Sequence, residues 1–183
     1  MDLIRQNTQF KILKYIILAI LGSIALAISA KIKIPFYPVP MTMQTFVVLF
    51  LGLSFGYKIG VATVVLYLFE GILGLPVFSN SPERGVGLIY FTGPTMGYLV
   101  GFIFACFFAS YVKSSDNFIK IFIKLILAVS TIYILGILWL GIVIGWDKPL
   151  FSLGVAPFLL AEVFKILLLT LIAKLSIKLR NFI

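Results

Sequence analysis

The chain has 183 residues, 62% of them hydrophobic and 11% charged, with a formal net charge of +9. Water-soluble domains sit at roughly 45–50% apolar and about 25% charged, so this composition excludes an ordinary soluble fold. It contains no histidine and one cysteine, Cys106, which excludes an internal disulfide and a His/Cys metal site. The positive charges lie at the ends of apolar runs, where they set membrane topology, and this argues against a nucleic-acid partner.

Taken in order, the apolar runs predict helices over 12–30, 44–57, 58–73, 93–112, 119–145 and 153–175. The first is preceded by Arg5, Lys11 and Lys14 and contains Ala25-Leu26-Ala27, a pattern also seen in secretory signals. It is long enough to span and is read as the first helix. A loop with Pro35, Pro38 and Pro40 follows, then a tight joint at Tyr57-Lys58 between the second and third helices. Residues 74–92 form a long loop, 113–117 a polar turn and 146–152 a short connection. Neither a linker nor an internal repeat is visible, and the absence of alternating strands argues against a transmembrane barrel.

Residues 44–73 are also compatible with one long helix, and charge placement separates the two readings. With six helices, one side collects Arg5, Lys11, Lys14, Lys58, Lys113, Lys120, Lys124, Lys174, Lys178 and Arg180, against Lys31, Lys33, Arg84 and Lys148 on the other. The excess obeys the positive-inside rule with both termini cytoplasmic. Merging the two helices reverses the excess and leaves Lys58 near the midplane, at a cost of about 2.5–3.5 kcal/mol. The expectation is a single-domain, all-α integral membrane protein with six transmembrane helices in the cell membrane.

Gly52, Gly56 and Gly60 recur at four-residue spacing, as do Gly93, Gly97 and Gly101, which predicts close helix packing. Ala19, Ser23 and Ala27 form a similar stripe on the first helix, equally suited to internal packing and to docking a partner. Cys106, inside an apolar run, reads as a small packing residue.

Ionisable groups inside membrane segments are candidates for function. Glu162 and Lys165, in Pro157-Phe-Leu-Leu-Ala-Glu-Val-Phe-Lys165, are three apart and share a helix face. Together they suit either a structural ion pair or a ligand carrying both a urea and a carboxylate. Glu70 stands near the end of its helix and reads as interfacial. Asn80, Glu83 and Arg84 fall in the 74–92 loop, whose length suits a lid or binding segment. The dipeptide Gly-Lys never occurs, so a P-loop is absent, and no motif points to catalysis. The chain reads as a non-enzyme without a cofactor.

Four segments carry a resemblance: Ile34-Pro-Phe-Tyr-Pro-Val-Pro-Met-Thr-Met-Gln-Thr-Phe46, Gly71-Ile-Leu-Gly-Leu-Pro-Val-Phe78, Gly93-Pro-Thr-Met-Gly-Tyr-Leu-Val-Gly-Phe102 and Pro157 to Lys165. In this order, over about 130 residues, they resemble the biotin-specific substrate-binding (S) components of energy-coupling-factor (ECF) vitamin transporters, the BioY family. The resemblance implies six helices, a biotin pocket on the external side, and uptake powered by a coupling transmembrane subunit and two ATPase subunits. It assigns Asn80, Tyr98, Glu162 and Lys165 to the ligand, with Arg84 a weaker carboxylate partner, and the Ala19/Ser23/Ala27 stripe to docking. Tyr90, Phe91, Tyr98 and Phe158 are available to cover an apolar ligand body. Glu162 stands where the family usually has aspartate, Ala161 where glycine is frequent, and Met96 where glycine is common, which bears on pocket depth. Another vitamin, or a structural membrane protein without a ligand, are the alternative readings.

Overall fold

The computed structural model describes residues 2–180, with side chains from residue 9 onward. Arg5, counted above with the basic side, lies outside the described side chains. Helix α1 (Asp2–Lys31) leads into a two-stranded ribbon, β1 (Lys33–Ile34) paired antiparallel with β2 (Met41–Thr42). Then come α2 (Gln44–Ile72), a 3-10 turn (Gly87–Thr92), α3 (Met96–Ala109), α4 (Phe118–Ile144), α5 (Leu150–Gly154), a second 3-10 turn (Ala156–Phe158) and α6 (Leu159–Leu179). The protein is all-helical apart from the ribbon, as its composition requires: in hydrocarbon, helices satisfy their own backbone groups.

Among the described residues, four stretches are long and apolar enough to cross a membrane: Gln9–Lys31, Gln44–Ile72, Phe118–Ile144 and Leu150–Leu179. This count differs from the six helices expected, for two reasons. The first is that 44–72 is a single helical stretch broken at Gly56, whose φ of 71° and ψ of 179° lie outside the helical region. The chain doubles back there. Gln44 Nε2 donates to Tyr67 Oη at 2.7 Å, although a straight helix would hold those residues about 35 Å apart. Only glycine takes such a φ without strain, which places the reversal one residue before the Tyr57-Lys58 joint. The second is that α3 has 14 residues and is about 21 Å long, short of the roughly 30 Å hydrocarbon core. Residues 87–95 are spent on a 3-10 turn and on Gly93-Pro94, whose carbonyl at Gly93 accepts from Trp139 Nε1 at 2.9 Å.

The last predicted helix, 153–175, is also redrawn. Val155 leaves the helical region at φ −134° and Pro157 follows in a 3-10 turn, so α6 starts only at Leu159. Proline tolerates that position because its missing N–H would have no intrahelical partner there.

Glycines set the helix separations. A Cβ at Gly52 would collide with Cys106 O, one at Gly60 would lie 2.9 Å from Cys106 Sγ, and one at Gly101 2.6 Å from Ile132 Cα. The two arms of α2 thus close on α3, and α3 on α4, by backbone approach that no larger residue permits. Cys106 is fully buried between these glycines, a packing residue as expected. Helix α1 lies at the edge and packs chiefly on α2. The turn between α3 and α4 is fixed by Asp116, which accepts from Lys124 Nζ at 2.6 Å and Lys113 N at 2.9 Å. The hydrogen bond from Lys124, then that from Lys113, hold its carboxyl well below the usual carboxylate range.

Replacing Gly101 by valine overpacks the α3–α4 contact. We expect a loss of about 1–3 kcal/mol and a lower melting temperature in detergent, whereas Ala62→Val, on an exposed face, should melt like the parent.

Candidate ligand-binding cavity

A cavity opens among α2, α3, α4, α6 and the two long loops, and the buried polar residues Gln44, Thr45, Ser79, Thr95 and Glu162 line it. Its floor and walls come from Gln44, Thr45, Tyr98, Tyr133, Phe158 and Glu162, and its roof from residues 39–42, Ser79 and Tyr90. Each wall residue is delivered by a local feature. Gln44 and Thr45 open α2 directly after β2, Tyr98 sits in the first turn of α3, and Glu162 in the first turn of α6. The glycine at 136 leaves room for the Tyr98 ring, whose hydroxyl donates to Gly154 O at 3.0 Å.

Glu162 and Lys165 meet as the three-residue spacing predicts, with Lys165 Nζ 2.7 Å from Glu162 Oε1 and both side chains over 90% buried. Thr45 completes the cluster by donating to Glu162 Oε1 at 2.8 Å and accepting from Lys165 at 3.1 Å. Lys165 also donates to Thr42 O at 2.6 Å, so its three N–H groups are all used. The second carboxylate oxygen is different. Glu162 Oε2 is buried and has no hydrogen-bond partner among the described residues, although the side chain lines the cavity with Tyr133 on the same wall. An acceptor held this way costs about 1–3 kcal/mol, more when charged, and is relieved by a ligand that donates an N–H.

The roof is fastened by cations. Lys31 Nζ donates to Phe78 O and Ser81 O, each at 2.8 Å. Lys33 Nζ donates to Ser79 O at 2.6 Å and Asn80 Oδ1 at 3.1 Å. From the other direction Arg84 reaches Pro38 O at 2.9 Å and lies over the Tyr37 ring. Five hydrogen bonds therefore bind the end of α1 and the 32–43 loop to the 73–95 loop above the cavity.

Of the residues expected at the ligand, Tyr98 and Glu162 line the cavity, whereas Lys165 stands behind Glu162 and Asn80 and Arg84 hold the roof. Tyr90 and Phe158 supply aromatic surface as expected, but Phe91 turns away onto Phe78 at a centroid distance of 5.4 Å. Phe158 stacks on Tyr133 and meets Phe36 edge-on. Gln44 and Thr45 were legible only as parts of a longer motif, Ser79 stands just beyond the end of another, and Tyr133, inside an apolar run, carried no signal at all. The Ala19/Ser23/Ala27 stripe is used at least in part inside the bundle. Ser23 is buried and donates to Glu70 Oε1 at 2.7 Å, with Ala19 and Ala27 half-buried beside it, so the stripe packs against α2. Glu70 is likewise engaged inside the bundle and is not a free interfacial carboxylate.

Residues 5–181 match the BioY family. A probable biotin transporter BioY of Pyrococcus horikoshii is 32% identical over 148 residues, 81% of this chain and 86% of the relative. A biotin transporter BioY of Thermotoga maritima is 32% identical over 149 residues, with the same coverage of both chains. Among solved structures, the crystal structure of the S-component for biotin from an ECF-type ABC transporter superposes with a TM-score of 0.76, covering 92% of this chain and 93% of that one at 23% identity. The fold is thus shared with that S-component, and by the extent of the family match this chain belongs to the BioY family.

Proposed function

We propose that the chain binds biotin in the cavity beside Glu162 and mediates its uptake as the S-component of an ECF-type transporter. The observation that carries the reading is the buried Glu162 Oε2, which has no hydrogen-bond partner among the described residues and belongs to a side chain lining an aromatic-walled cavity. Biotin's fused rings present a urea with two N–H donors on an apolar body. A buried carboxylate oxygen accepts such a donor strongly because water is excluded. Tyr98, Tyr133 and Phe158 cover the apolar body, and Lys165 with Thr45 holds Glu162 oriented from behind. The ligand's carboxylate is assigned to the roof, where Asn80 and Arg84 stand close to Lys31 and Lys33. Glutamate at this position reaches one methylene further than aspartate, which fits a urea seated slightly higher in the cavity.

The cavity lies at the end of the bundle remote from Lys58, Lys113, Lys120, Lys124, Lys174, Lys178 and Arg180. Counting the two arms of α2 separately, with α3 embedded between them and α4, yields six membrane segments with both termini cytoplasmic and the cavity external. The sequence has no P-loop, so energy enters through partners: a coupling transmembrane subunit and two ATPase subunits.

Topology is read by cysteine labelling in a Cys106→Ala background. A cysteine at Asn117 should react only with reagent on the cytoplasmic side and one at Glu83 only from outside; labelling of Asn117 from outside overturns the six-segment arrangement. The site is read by calorimetry and melting curves. Glu162→Gln weakens biotin by about ten- to a hundredfold through loss of a charge-assisted bond. Lys165→Ala strands a buried carboxylate and lowers stability by about 3–5 kcal/mol. The neutral pair Glu162→Gln with Lys165→Met restores most of that stability and none of the affinity. Parental affinity in the neutral pair would show that biotin binds elsewhere. Lys33→Ala removes two of the roof bonds and should speed biotin dissociation about tenfold or more with little change in association rate; an unchanged off-rate refutes a retaining role for the roof.

A further inference from the structure

At the end of the bundle opposite the cavity, about 17 Å along α2 from Thr45, the reversal at Gly56 leaves a second cleft. Tyr15 of α1, Gly56, Tyr57 and Lys58 of α2, Ser110 beyond α3, and Arg180 beyond α6 line it. Arg180 lies across Gly56, whose missing side chain makes the space, and donates from Nη2 to Gly52 O at 2.8 Å. Its Nε is buried and has no hydrogen-bond partner among the described residues. Lys58 is exposed at the mouth, 5.9 Å from the Tyr57 ring centroid, and no acidic side chain among the described residues lines the cleft. Asp116, at the same end, is occupied by Lys113, Lys120 and Lys124.

We propose that this cleft binds the phosphate group of an anionic phospholipid, with Arg180 as the directed donor and Lys58 as the second cation. A guanidinium N–H left without an acceptor in a semi-enclosed site calls for a compact anion, and phosphate oxygens match its geometry. Position favours a lipid as the source. The cleft stands where apolar helices end, flanked by Tyr15 and Tyr57, whose amphipathic rings suit the head-group level. Toward the bilayer interior the exposed Ile16 and Ile20 of α1 offer an apolar track for an acyl chain. Basic residues at this end meet a leaflet rich in anionic lipid when it faces the cytoplasm. The placement of the leaflet rests on the topology proposed above; the lipid chemistry does not.

Native mass spectrometry of the detergent-purified chain, titrated with dioleoylphosphatidylglycerol, dioleoylphosphatidylcholine or inorganic phosphate, tests the site, with biotin affinity measured in parallel. The parent should hold one phosphatidylglycerol about tenfold or more tighter than phosphatidylcholine. Arg180→Ala should lose about tenfold or more of that affinity, Arg180→Lys less, and Lys58→Gln about threefold or more, all with unchanged biotin binding. If Arg180→Ala fails to fold, seen as loss of biotin binding, the exposed Lys58→Gln decides the question. Parental phosphatidylglycerol affinity in Lys58→Gln and in a folded Arg180 variant overturns the proposal, as does equal binding of the two lipids. Saturable binding of inorganic phosphate without lipid preference reassigns the site to a free ion and overturns the lipid assignment. Protection of the cleft only by an acidic segment of a protein partner overturns it too. A parent that binds lipid but not biotin would refute the function proposed above while leaving this site standing.

Discussion

A carboxylate in the apolar interior of a helical bundle persists only where cations and hydroxyls surround it, and Glu162 meets that condition through Thr45 and Lys165. The cluster joins the first turn of α6 to the first turn of α2, and Lys165 extends it to Thr42 at the end of the ribbon. The start of two helices, the exit of the roof loop and the floor of the cavity are therefore positioned by one set of charge-assisted bonds. Desolvation makes the arrangement expensive to break from either side. It also leaves Glu162 with one oxygen fully used and the other buried without a partner among the described residues, on a side chain that lines the cavity.

That cluster can exist only because the helices around it approach closely. Gly52, Gly60, Gly97, Gly101 and Gly136 each lie against a neighbouring backbone or ring that a methyl group would strike. In lipid, no hydrophobic force distinguishes one helix contact from another, so close van der Waals contact and shared polar groups decide which helices pair. The glycine contacts bring α3 against both α2 and α4, and the Tyr98 ring uses the gap at Gly136 to reach Gly154. Ser23 with Glu70 does the equivalent work for α1, holding it to the second arm of α2.

The two ends of the bundle differ in how they use positive charge. At the cavity end, Lys31, Lys33 and Arg84 are consumed by loop carbonyls and one amide oxygen, so they fasten a roof instead of advertising charge. At the opposite end the lysines are mostly exposed, with Asp116 answering the ammonium groups of Lys120 and Lys124 and the backbone N–H of Lys113 at the α3–α4 turn. Arg180 stands apart from both patterns, part-satisfied by Gly52 O and otherwise facing the cleft that the Gly56 reversal creates.

Composition by itself determined that the chain is a helical membrane protein, because an apolar surface of this extent has no stable place in water and helices close their own hydrogen bonds in lipid. Spacing determined that Glu162 and Lys165 would meet, since residues three apart on a helix are neighbours whatever surrounds them. The four motif segments were enough to place the family. Only the tertiary structure decided that Thr45 mediates the pair, that Tyr133 joins the wall, and that Asn80 and Arg84 hold the roof. These contacts join positions up to 120 residues apart, and no local pattern encodes them. The same holds for the Ala19/Ser23/Ala27 stripe: a small-residue face looks identical whether it meets a partner or its own neighbour, and only the folded chain shows the bond from Ser23 to Glu70. The reversal at Gly56 was legible to within a residue from charge placement, because Lys58 cannot stay at the midplane. Its backbone angle, and the cleft beneath Arg180 that follows from it, belong to the folded chain alone.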